Sequence, residues 1–349
     1  MIRIGCDAHK RYSMFAGIND AGQCTGSTRV EHITELYRSF LRGLPEGTPI
    51  AVETVGNWYW MIDEMERAGH RPILVHAAKA KLLMGQINKT DKLDAKGLAV
   101  LLHNGTLPSV WIPPGELRDQ RELSRMRMSL VGVRTMLKNR IHATLAKYAI
   151  EIDEVSDIFG VKGREELEKR LSELPPYTSE SVREQLQLLD EVEGHIKRCE
   201  EQIREVVKAT PEMELLRTIP GVGAILAVVI ALEVGDVNRF PGPEHLASYA
   251  GTVPRVRSSG GKTSFGKVRP DVNRSLRWAL VEAANVVVLN RKRWPNAHVV
   301  RLYEKIRERR GHPKAVVAVA RHFAEAVYWM LKKGEAYREP KRPTSSSQE

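Results

Sequence analysis

The chain has 349 residues, of which 54 are Lys or Arg and 43 are Asp or Glu, so its formal net charge is +11. This length predicts two or three domains, and a hydrophobic content of 42% is that of a folded globular protein. The longest apolar run, Ala224–Leu232, is far shorter than the ~20 residues of a membrane-spanning helix. The chain opens without a secretory signal, and its three cysteines (Cys6, Cys24, Cys199) form no CxxC pair. Membrane, secreted and structural-zinc classes are therefore excluded, and a reducing cytoplasm is expected.

The positive charge is concentrated at the end of the chain. Residues 251–349 contain 22 Lys or Arg and 8 Asp or Glu, a net of +14, whereas the first 250 residues carry a net of −3. A basic block of this size predicts a polyanionic partner, most simply nucleic acid. The alternative is a solvated helical surface that is rich in Lys and Arg.

The first 112 residues predict an α/β domain. Alternating apolar and polar residues predict two strands, Ile2–Asp7 and Tyr12–Ile18, and a third strand follows a turn at 19–22. Helices and strands then alternate, which is typical of α/β domains. They are predicted as helices at 31–43, 57–68, 78–84 and 91–103, and strands at 49–53 and 71–76.

Two prolines in the segment Trp111-Ile-Pro-Pro-Gly115 mark the end of this domain. A basic helix at 116–149 and an acidic helical pair at 163–208 follow, and they predict an antiparallel coiled-coil insertion over 113–208. A plain helical bundle is the alternative. The region 209–334 is predicted to be mainly helical, and the tail 335–349 to be disordered because it lacks hydrophobic residues.

Four carboxylates stand out by position: Asp7 and Glu53 end predicted strands, and Asp91 and Asp94 lie one helical turn apart. Converging carboxylates repel each other unless a hard cation such as Mg²⁺ lies among them. Taken singly, each one is explained by a structural role in a turn or a helix cap. The ordered set is the layout of ribonuclease-H-like nucleases. Actin-like ATPases and sugar kinases also begin with a strand, an Asp and a hairpin, but they require a later Gly-rich phosphate loop that this sequence does not show.

Two glycine-containing segments lie in the basic part of the chain or just before it. The segment Ile219-Pro-Gly-Val-Gly223 predicts a helix-hairpin-helix, in which Gly221 and Gly223 expose amide groups to a phosphate; a buried turn between core helices is the alternative. The loop Ser258-Ser259-Gly260-Gly261 predicts either a phosphate-binding loop or a nucleophilic serine, and contains no evident base. Six cations surround or follow this loop: Arg255, Arg257, Lys262, Lys267, Arg274 and Arg277.

The order of these motifs resembles that of the DEDD-type insertion-sequence transposases, which are bridge-RNA-guided serine recombinases of bacterial mobile elements. The resemblance covers about residues 1–335. It is carried by Gly5-Cys-Asp7-Ala-His-Lys10, Val52-Glu53-Thr, Lys89-Thr-Asp91-Lys-Leu-Asp94-Ala, Ile219-Pro-Gly-Val-Gly223 and Pro254 followed by Ser259-Gly-Gly-Lys262. It implies an α/β RNase-H/RuvC-like DEDD domain (1–112), a helical coiled-coil insertion (113–208) and a helical transposase domain with the serine (209–334).

The resemblance also implies roles for individual residues. Asp7, Glu53, Asp91 and Asp94 correspond to a tetrad that binds Mg²⁺, and Ser259 to a nucleophile that forms a phosphoserine link to DNA before strand exchange and religation. Ser258 is adjacent and chemically equivalent, so only the motif register separates it from Ser259. The implied partners are donor and target DNA, a structured noncoding guide RNA and further protomers, in a dimer or tetramer with a composite active site. The implied location is the nucleoid in the bacterial cytoplasm.

Two other functions remain open from the residues. A RuvC-like structure-specific nuclease would use the same tetrad with water as the nucleophile, and Ser259 would only bind phosphate. A non-catalytic nucleic-acid-binding protein would use only the glycine hairpin and the basic region.

Overall fold

In the computed structural model, which describes residues 1–85, 90–207 and 210–340, the chain divides into two compact units, Met1–Pro113 and Pro114–Glu349. The second unit contains both the helical insertion and the region with the serine loop. The predicted division between those two regions stays a prediction. Among the described residues, no helix is both long enough and apolar enough to cross a membrane.

The first unit is built on one mixed sheet. Its strands are β1 (Arg3–Ala8), β2 (Tyr12–Ile18), β3 (Cys24–Glu31), β4 (Pro49–Glu53), β5 (Arg71–Val75) and β6 (Ser109–Val110). Their spatial order is β3-β2-β1-β4-β5-β6, with an antiparallel meander of β1 to β3 and parallel pairing of β4 with β1 and β5. The predicted α/β class is confirmed, and the arrangement is compatible with a ribonuclease-H-like domain. The edge strand β6 was not predicted, because two residues are too few to show an alternating pattern.

Helices cover both faces of this sheet. They are α1 (Thr34–Arg42), α2 (Trp58–Arg67), α3 (Ala77–Met84) and α4 (Asp91–His103). The apolar residues of α1 and α2, such as Tyr37 and Met61, pack with Cys6 of β1 on one face. On the other face, Leu98 of α4 packs with Ala51 of β4. Successive residues of β1 and β4 therefore point alternately to the two helical layers.

The second unit begins with two long antiparallel helices. They are α5 (Gly115–Lys147) and α7 (Pro176–Val206), with α6 (Val161–Arg170) between them, and both long helices start directly after a proline. Arg127 near the start of α5 bonds Glu200 near the end of α7, whereas Tyr148 after α5 bonds Thr178 near the start of α7. Residues later in α5 thus contact residues earlier in α7, so the two helices run antiparallel.

The rest of the second unit is mostly helical, as predicted. Its helices are α8 (Pro211–Leu216), α9 (Ala224–Val234), α10 (Pro243–Tyr249), α11 (Arg274–Leu289), α12 (His298–Arg310) and α13 (His312–Lys333). The largest core of the protein lies among them. One element departs from the expected helical structure, a hairpin of β7 (Val256–Ser259) and β8 (Lys262–Phe265). It forms because Gly260 and Gly261, both at positive φ, make a two-residue turn between β-favouring residues.

The first residues of the predicted disordered tail differ from that prediction. Tyr337 packs on the helical core, its backbone N–H donates to Thr218 Oγ1, and its hydroxyl bonds His322. The Tyr337 ring and these hydrogen bonds tie the segment to the core, and average composition does not reveal such contacts. Residues 341–349 lie outside the described part of the chain.

Candidate active site

Asp7 and Glu53 lie at the ends of two neighbouring parallel strands. β1 and β4 pair with Cys6 opposite Val52, and each carboxylate is the next residue on its strand. Cys6 and Val52 both pack beneath α1 and α2. Because side chains alternate along a strand, Asp7 and Glu53 face the other side of the sheet, where α4 packs.

Gly5 allows α4 to approach β1 closely. A Cβ on residue 5 would lie 2.1 Å from the carbonyl oxygen of Ala95 and 2.5 Å from the backbone nitrogen of Ala99, so no other residue fits without displacing the helix. The first turn of α4 carries Asp91 and Asp94, and the Thr90 side chain caps it by accepting from the Leu93 N–H. This packing brings the acidic turn to the strand end that carries Asp7. Lys89, which opens the same motif, lies outside the described residues.

His9 connects the strand carboxylate with the helix carboxylate. Its Nε2 lies 3.1 Å from Asp7 Oδ2 and 3.3 Å from Asp91 Oδ2. Tyr12 at the start of β2 donates its hydroxyl to Asp91 Oδ2 at 2.8 Å and stacks on the His9 ring at 4.6 Å. The Arg29 guanidinium lies 3.7 Å above the Tyr12 ring centroid. The site thus joins β1, β2, β3 and α4.

The pKa values of Asp7 and Asp91 are shifted in opposite directions. Burial raises the pKa of the Asp7 carboxyl, the charges of Asp94 and Asp91 raise it further, and His9 acts in the opposite direction. The hydrogen bond that Tyr12 donates is the main reason why the pKa of Asp91 is lowered. A buried carboxylate beside other carboxylates gains most from a neighbouring cation.

The residues present fit a divalent cation. The ligand atoms of Asp7, His9 and Asp91 all lie within 4.8 Å of one another. Asp94 acts on Asp7 electrostatically, and Glu53 ends the adjacent strand, so further carboxylates belong to the same edge. A donor set made mostly of carboxylate oxygens suits Mg²⁺ or Mn²⁺.

The sequence interpretation included neither His9 nor Tyr12 among the site residues. A signal for Tyr12 was available: it shares the alternation of Met14 and Ala16, which pack against Ala95 of α4. His9 lies in the tight β1–β2 connection, where its N–H bonds the Tyr12 carbonyl. Strand periodicity gives no direction for a side chain in such a turn.

The serine loop is the tip of the exposed β7–β8 hairpin. Ser259 lies directly opposite Lys262, and Ser258 directly opposite Thr263. The turn between them is Gly260-Gly261, at φ of 55° and 75°, a conformation that favours glycine. All residues of both strands are exposed.

The two serines lie on different faces of this hairpin. Ser259 shares its face with its cross-strand partner Lys262 and with Arg257, two residues earlier. Ser258 shares a hydrogen bond of 3.2 Å with the hydroxyl of Thr263, on the face that carries Val256. The hairpin register therefore groups Ser259, and not Ser258, with the cations.

The other predicted cations follow the chain away from the hairpin. Arg255 and Lys267 are exposed at its base, where the Arg255 N–H bonds the Lys267 carbonyl. Arg274 and Arg277 lie in the first turn of α11. Asn273 caps this helix by accepting from the Leu276 N–H.

The two glycines of the predicted helix-hairpin-helix have different surroundings. At Gly221, with φ of +83°, a Cβ would lie 2.4 Å from the Ala283 carbonyl oxygen of α11. This contact favours the buried-turn alternative for Gly221. Gly223 is exposed at the start of α9, and a Cβ on residue 223 would meet no described atom within 4 Å.

A buried ion-pair network joins α5, α9 and the start of α11, and it was not predicted from the sequence. Glu233 of α9 is fully buried and accepts two hydrogen bonds from Arg125 of α5, at 2.8 and 3.0 Å. Arg121 donates to the backbone carbonyls of Leu232 and Glu233. Asn273 donates to Glu233 Oε2, so the same carboxylate holds the N-terminus of α11. A single Glu in an apolar helix was the available signal.

A mixed sheet that is compatible with a ribonuclease-H-like domain and carries carboxylates at one edge is typical of metal-dependent enzymes that act on phosphodiesters. A family model for DEDD transposases of IS110 elements, described as "Transposase", matches residues 4–150. A second model, "Transposase IS116/IS110/IS902 family", matches residues 213–299. The chain therefore belongs to the DEDD-type insertion-sequence transposase family, whose members are DNA-recombining enzymes that act by phosphoryl transfer.

Similar curated proteins span nearly the whole chain. A transposase for insertion sequence element IS1111A of Coxiella burnetii is 28% identical, over 96% of this chain and 91% of its own length. A probable family 20 transposase of Pseudomonas aeruginosa is 26% identical, over 96% of this chain and 98% of its own. A pilin gene-inverting protein of Moraxella bovis is 24% identical, over 82% of this chain and 81% of its own length.

Proposed function

We propose that this transposase cuts and rejoins DNA through a covalent phosphoserine link at Ser259, with Mg²⁺ held by the carboxylates at the edge of the sheet. The observation that carries the proposal is the grouping of Ser259 with Arg257 and Lys262 on one face of the hairpin. An exposed hydroxyl beside two cations meets the needs of attack on a phosphodiester.

The reaction follows from this grouping. The Oγ of Ser259 attacks phosphorus, an Oγ–P bond forms, and the bond from phosphorus to the leaving sugar oxygen breaks. The serine proton passes to solvent, and the leaving oxygen takes up a proton. Arg257 and Lys262 stabilise the charge on the non-bridging oxygens. One ester replaces another, so a new sugar hydroxyl reverses the step and rejoins the strand without an energy source.

The carboxylates at the edge of the sheet have a separate task. Bound Mg²⁺ would supply Lewis-acid polarisation of the phosphoryl oxygens. Asp7, Glu53, Asp91 and Asp94 would hold it, and His9 keeps the Asp7 and Asp91 carboxylates at hydrogen-bonding distance from one ring nitrogen.

The remaining parts of the proposal concern partners. Gly223 with α8 and α9, taken as a helix-hairpin-helix, and the cations Arg255, Lys267, Arg274 and Arg277 contact phosphates of donor or target DNA. The antiparallel pair α5 and α7 acts as a coiled coil in a dimer or tetramer with a composite active site. Target choice comes from a structured noncoding RNA, and the enzyme works on the bacterial nucleoid in the cytoplasm.

Protein–DNA adducts on denaturing gels test the proposal. The full-length protein is incubated with donor DNA, transcripts of its flanking sequence and Mg²⁺. Adducts are expected for the wild type and for Ser258→Ala, and none for Ser259→Ala. Omission of the transcripts is expected to abolish the adducts.

Two other outcomes support the alternatives. Cleavage that survives Ser259→Ala but disappears in Asp94→Asn identifies a nuclease that uses water. Salt-sensitive binding without cleavage of any DNA identifies a non-catalytic nucleic-acid-binding protein.

A further inference from the structure

A groove of about 690 Å³ lies in the second unit, along α11 from Arg274 to Asn285. Its walls are the segment between β8 and α11, one face of α11 and the beginning of α13. Its volume is in the range of pockets that bind small organic ligands. We call it the α11 groove. Its polar and aromatic lining residues are Arg269, Arg274, Arg277, Trp278, Asn285 and His312.

The spacing of these residues explains why they share the groove. Arg277 and Trp278 follow Arg274 by three and four residues, and Asn285 follows Trp278 by seven. Residues at these intervals lie along one face of an α-helix. α11 therefore presents a stripe that begins with cations, continues with an aromatic ring and ends with an amide.

The positive charge of the groove favours the binding of an anion. No acidic residue lines it within the described part of the chain. Arg269 is engaged with Ser248 Oγ and with Asp271. Arg274 and Arg277, by contrast, make no side-chain hydrogen bond or ion pair with any described residue, so their guanidinium groups are available to a ligand.

The apolar residues that line the groove indicate a ligand that has an apolar part as well as a phosphate. Trp278 is half-buried, and Val281 and Val316 line the groove with it. Asn285 offers an amide, and His312 uses Nδ1 for Tyr303, which leaves Nε2 for a ligand. Phosphates of an intact duplex need only the cations, whereas an apolar floor with an indole suits a base taken out of a stack.

We propose that the α11 groove binds one unpaired nucleotide of a DNA or RNA strand, with its base against Trp278 and its phosphates on Arg274 and Arg277. The inference rests on the proposed function, because it assumes that the chain handles nucleic acid. The groove wall starts at Val268, the residue after Lys267 at the base of the serine hairpin. The groove therefore adjoins the segment of chain that leads to the hairpin with Ser259.

Oligonucleotide binding to the full-length protein tests this proposal by fluorescence anisotropy. The probes are a labelled oligo-dT, the same strand with abasic sites, an oligo-U and a duplex of equal length. Trp278→Leu is expected to weaken binding of the two single strands about 5- to 150-fold, the effect of losing one base–aromatic stack. Trp278→Phe keeps a ring and is expected to restore most of the affinity. The oligo-dT and oligo-U arms show whether the DNA strand or the RNA strand is preferred.

The abasic probe separates stacking from a folding defect. The wild type is expected to bind the abasic strand more weakly than it binds oligo-dT. The Trp278→Leu variant is expected to bind both strands equally weakly. Arg277→Gln is expected to weaken binding of every probe and to reduce the salt slope by about one counterion. The matched control Arg309→Gln removes an exposed cation from α12, outside the groove, and is expected to retain stacking-dependent affinity.

Equal affinity of Trp278→Leu and wild type for oligo-dT, or equal affinity of wild type for the abasic strand and oligo-dT, overturns the proposal. Equal loss of duplex and single-strand binding in Trp278→Leu also overturns it. Adduct formation by Ser259 is measured in a separate experiment. The binding result can therefore be interpreted even if Ser259 forms no adduct, and the adduct result can be interpreted even if the groove binds no nucleotide.

Discussion

Gly5 of β1 contacts the backbone of Ala95 on α4 so closely that a Cβ on residue 5 would lie 2.1 Å from the Ala95 carbonyl oxygen. This contact sets the distance between the strand that carries Asp7 and the helix turn that carries Asp91 and Asp94. The geometry of the carboxylate cluster thus depends on a residue that has no side chain.

Gly5→Ala is expected to destabilise the first unit by at least about 1–3 kcal/mol, because the clash is with backbone and cannot be relieved by a side-chain rotation. Thermal unfolding measures the effect. Gly56→Ala is the control, since no described atom lies within 4 Å of a Cβ built at that residue. Equal melting temperatures for Gly5→Ala and wild type would show that the close packing of α4 is not needed.

Divalent cations are expected to stabilise the protein through the carboxylate cluster. Addition of Mg²⁺ or Mn²⁺ to metal-free protein raises the melting temperature because the cation binds only the folded site. Asp7→Asn and Asp94→Asn remove this increase, while Glu46→Gln, an exposed carboxylate elsewhere on the unit, keeps it. An equal increase in melting temperature for the wild type and the three variants would mean that the cations bind elsewhere.

Glu64 gives the first unit a pH-dependent stability. It is buried on α2 and accepts two hydrogen bonds from Arg38 of α1, at 2.6 and 2.9 Å, and one from Arg67. These partners, Arg38 first, lower the pKa of Glu64 below its usual value. The stabilisation is therefore complete above the unfolded pKa of about 4.3 and is lost as the pH falls through the lower folded pKa.

Glu64→Gln is expected to lower the free energy of unfolding by about 1–3 kcal/mol at pH 7. The difference from wild type shrinks as the pH falls below the unfolded pKa of about 4.3, because Glu64 is then protonated in the unfolded chain but still charged in the folded one. It is lost once the pH lies below the lower folded pKa. Urea unfolding at a series of pH values measures it, with the exposed Glu66→Gln on the same helix as control. A difference that stays constant down to about pH 3 would argue against the ion pair as its source.

The buried Glu233 holds α5, α9 and the start of α11 together, so its replacement affects the packing of these three helices. Glu233→Gln removes the buried carboxylate that pairs with Arg125 and with the buried Arg121, and it is expected to cost about 3–5 kcal/mol in chemical unfolding. Glu122 also pairs with Arg125 but is exposed, so Glu122→Gln is expected to change stability by less than about 0.5 kcal/mol. Similar losses in the two variants would contradict the role of burial.

Strand alternation and helical spacing predicted that Asp7 and Glu53 lie on neighbouring strands and that Asp91 and Asp94 lie in the first turn of one helix, as the structure has them. Their shared role as metal ligands stays a prediction. Each is tied to a regular element, and parallel strands end at a common edge. The same reasoning could not include His9, since a turn residue has no periodic direction. It also could not distinguish Ser258 from Ser259, because that distinction needs the cross-strand register of the hairpin.

Packing against distant residues accounts for the other differences. Gly221 fits a phosphate-binding hairpin by its local sequence, and only the neighbouring Ala283 of α11 shows that the glycine serves a close helix contact. Glu233 acquires its partners from a helix more than 100 residues earlier in the chain. Tyr337 is held by residues of α13 and of the segment after α8. Such long-range contacts leave no periodic signal in the sequence.

The central claim, that Ser259 becomes covalently linked to DNA, is tested most directly by mass spectrometry of the trapped protein–DNA adduct. After nuclease and protease digestion, the account predicts a nucleotide joined through phosphate to the peptide that contains Ser258 and Ser259, with fragmentation placing the link on Ser259. A link on Ser258 or on any other residue, or cleaved DNA without a linked peptide, would contradict it.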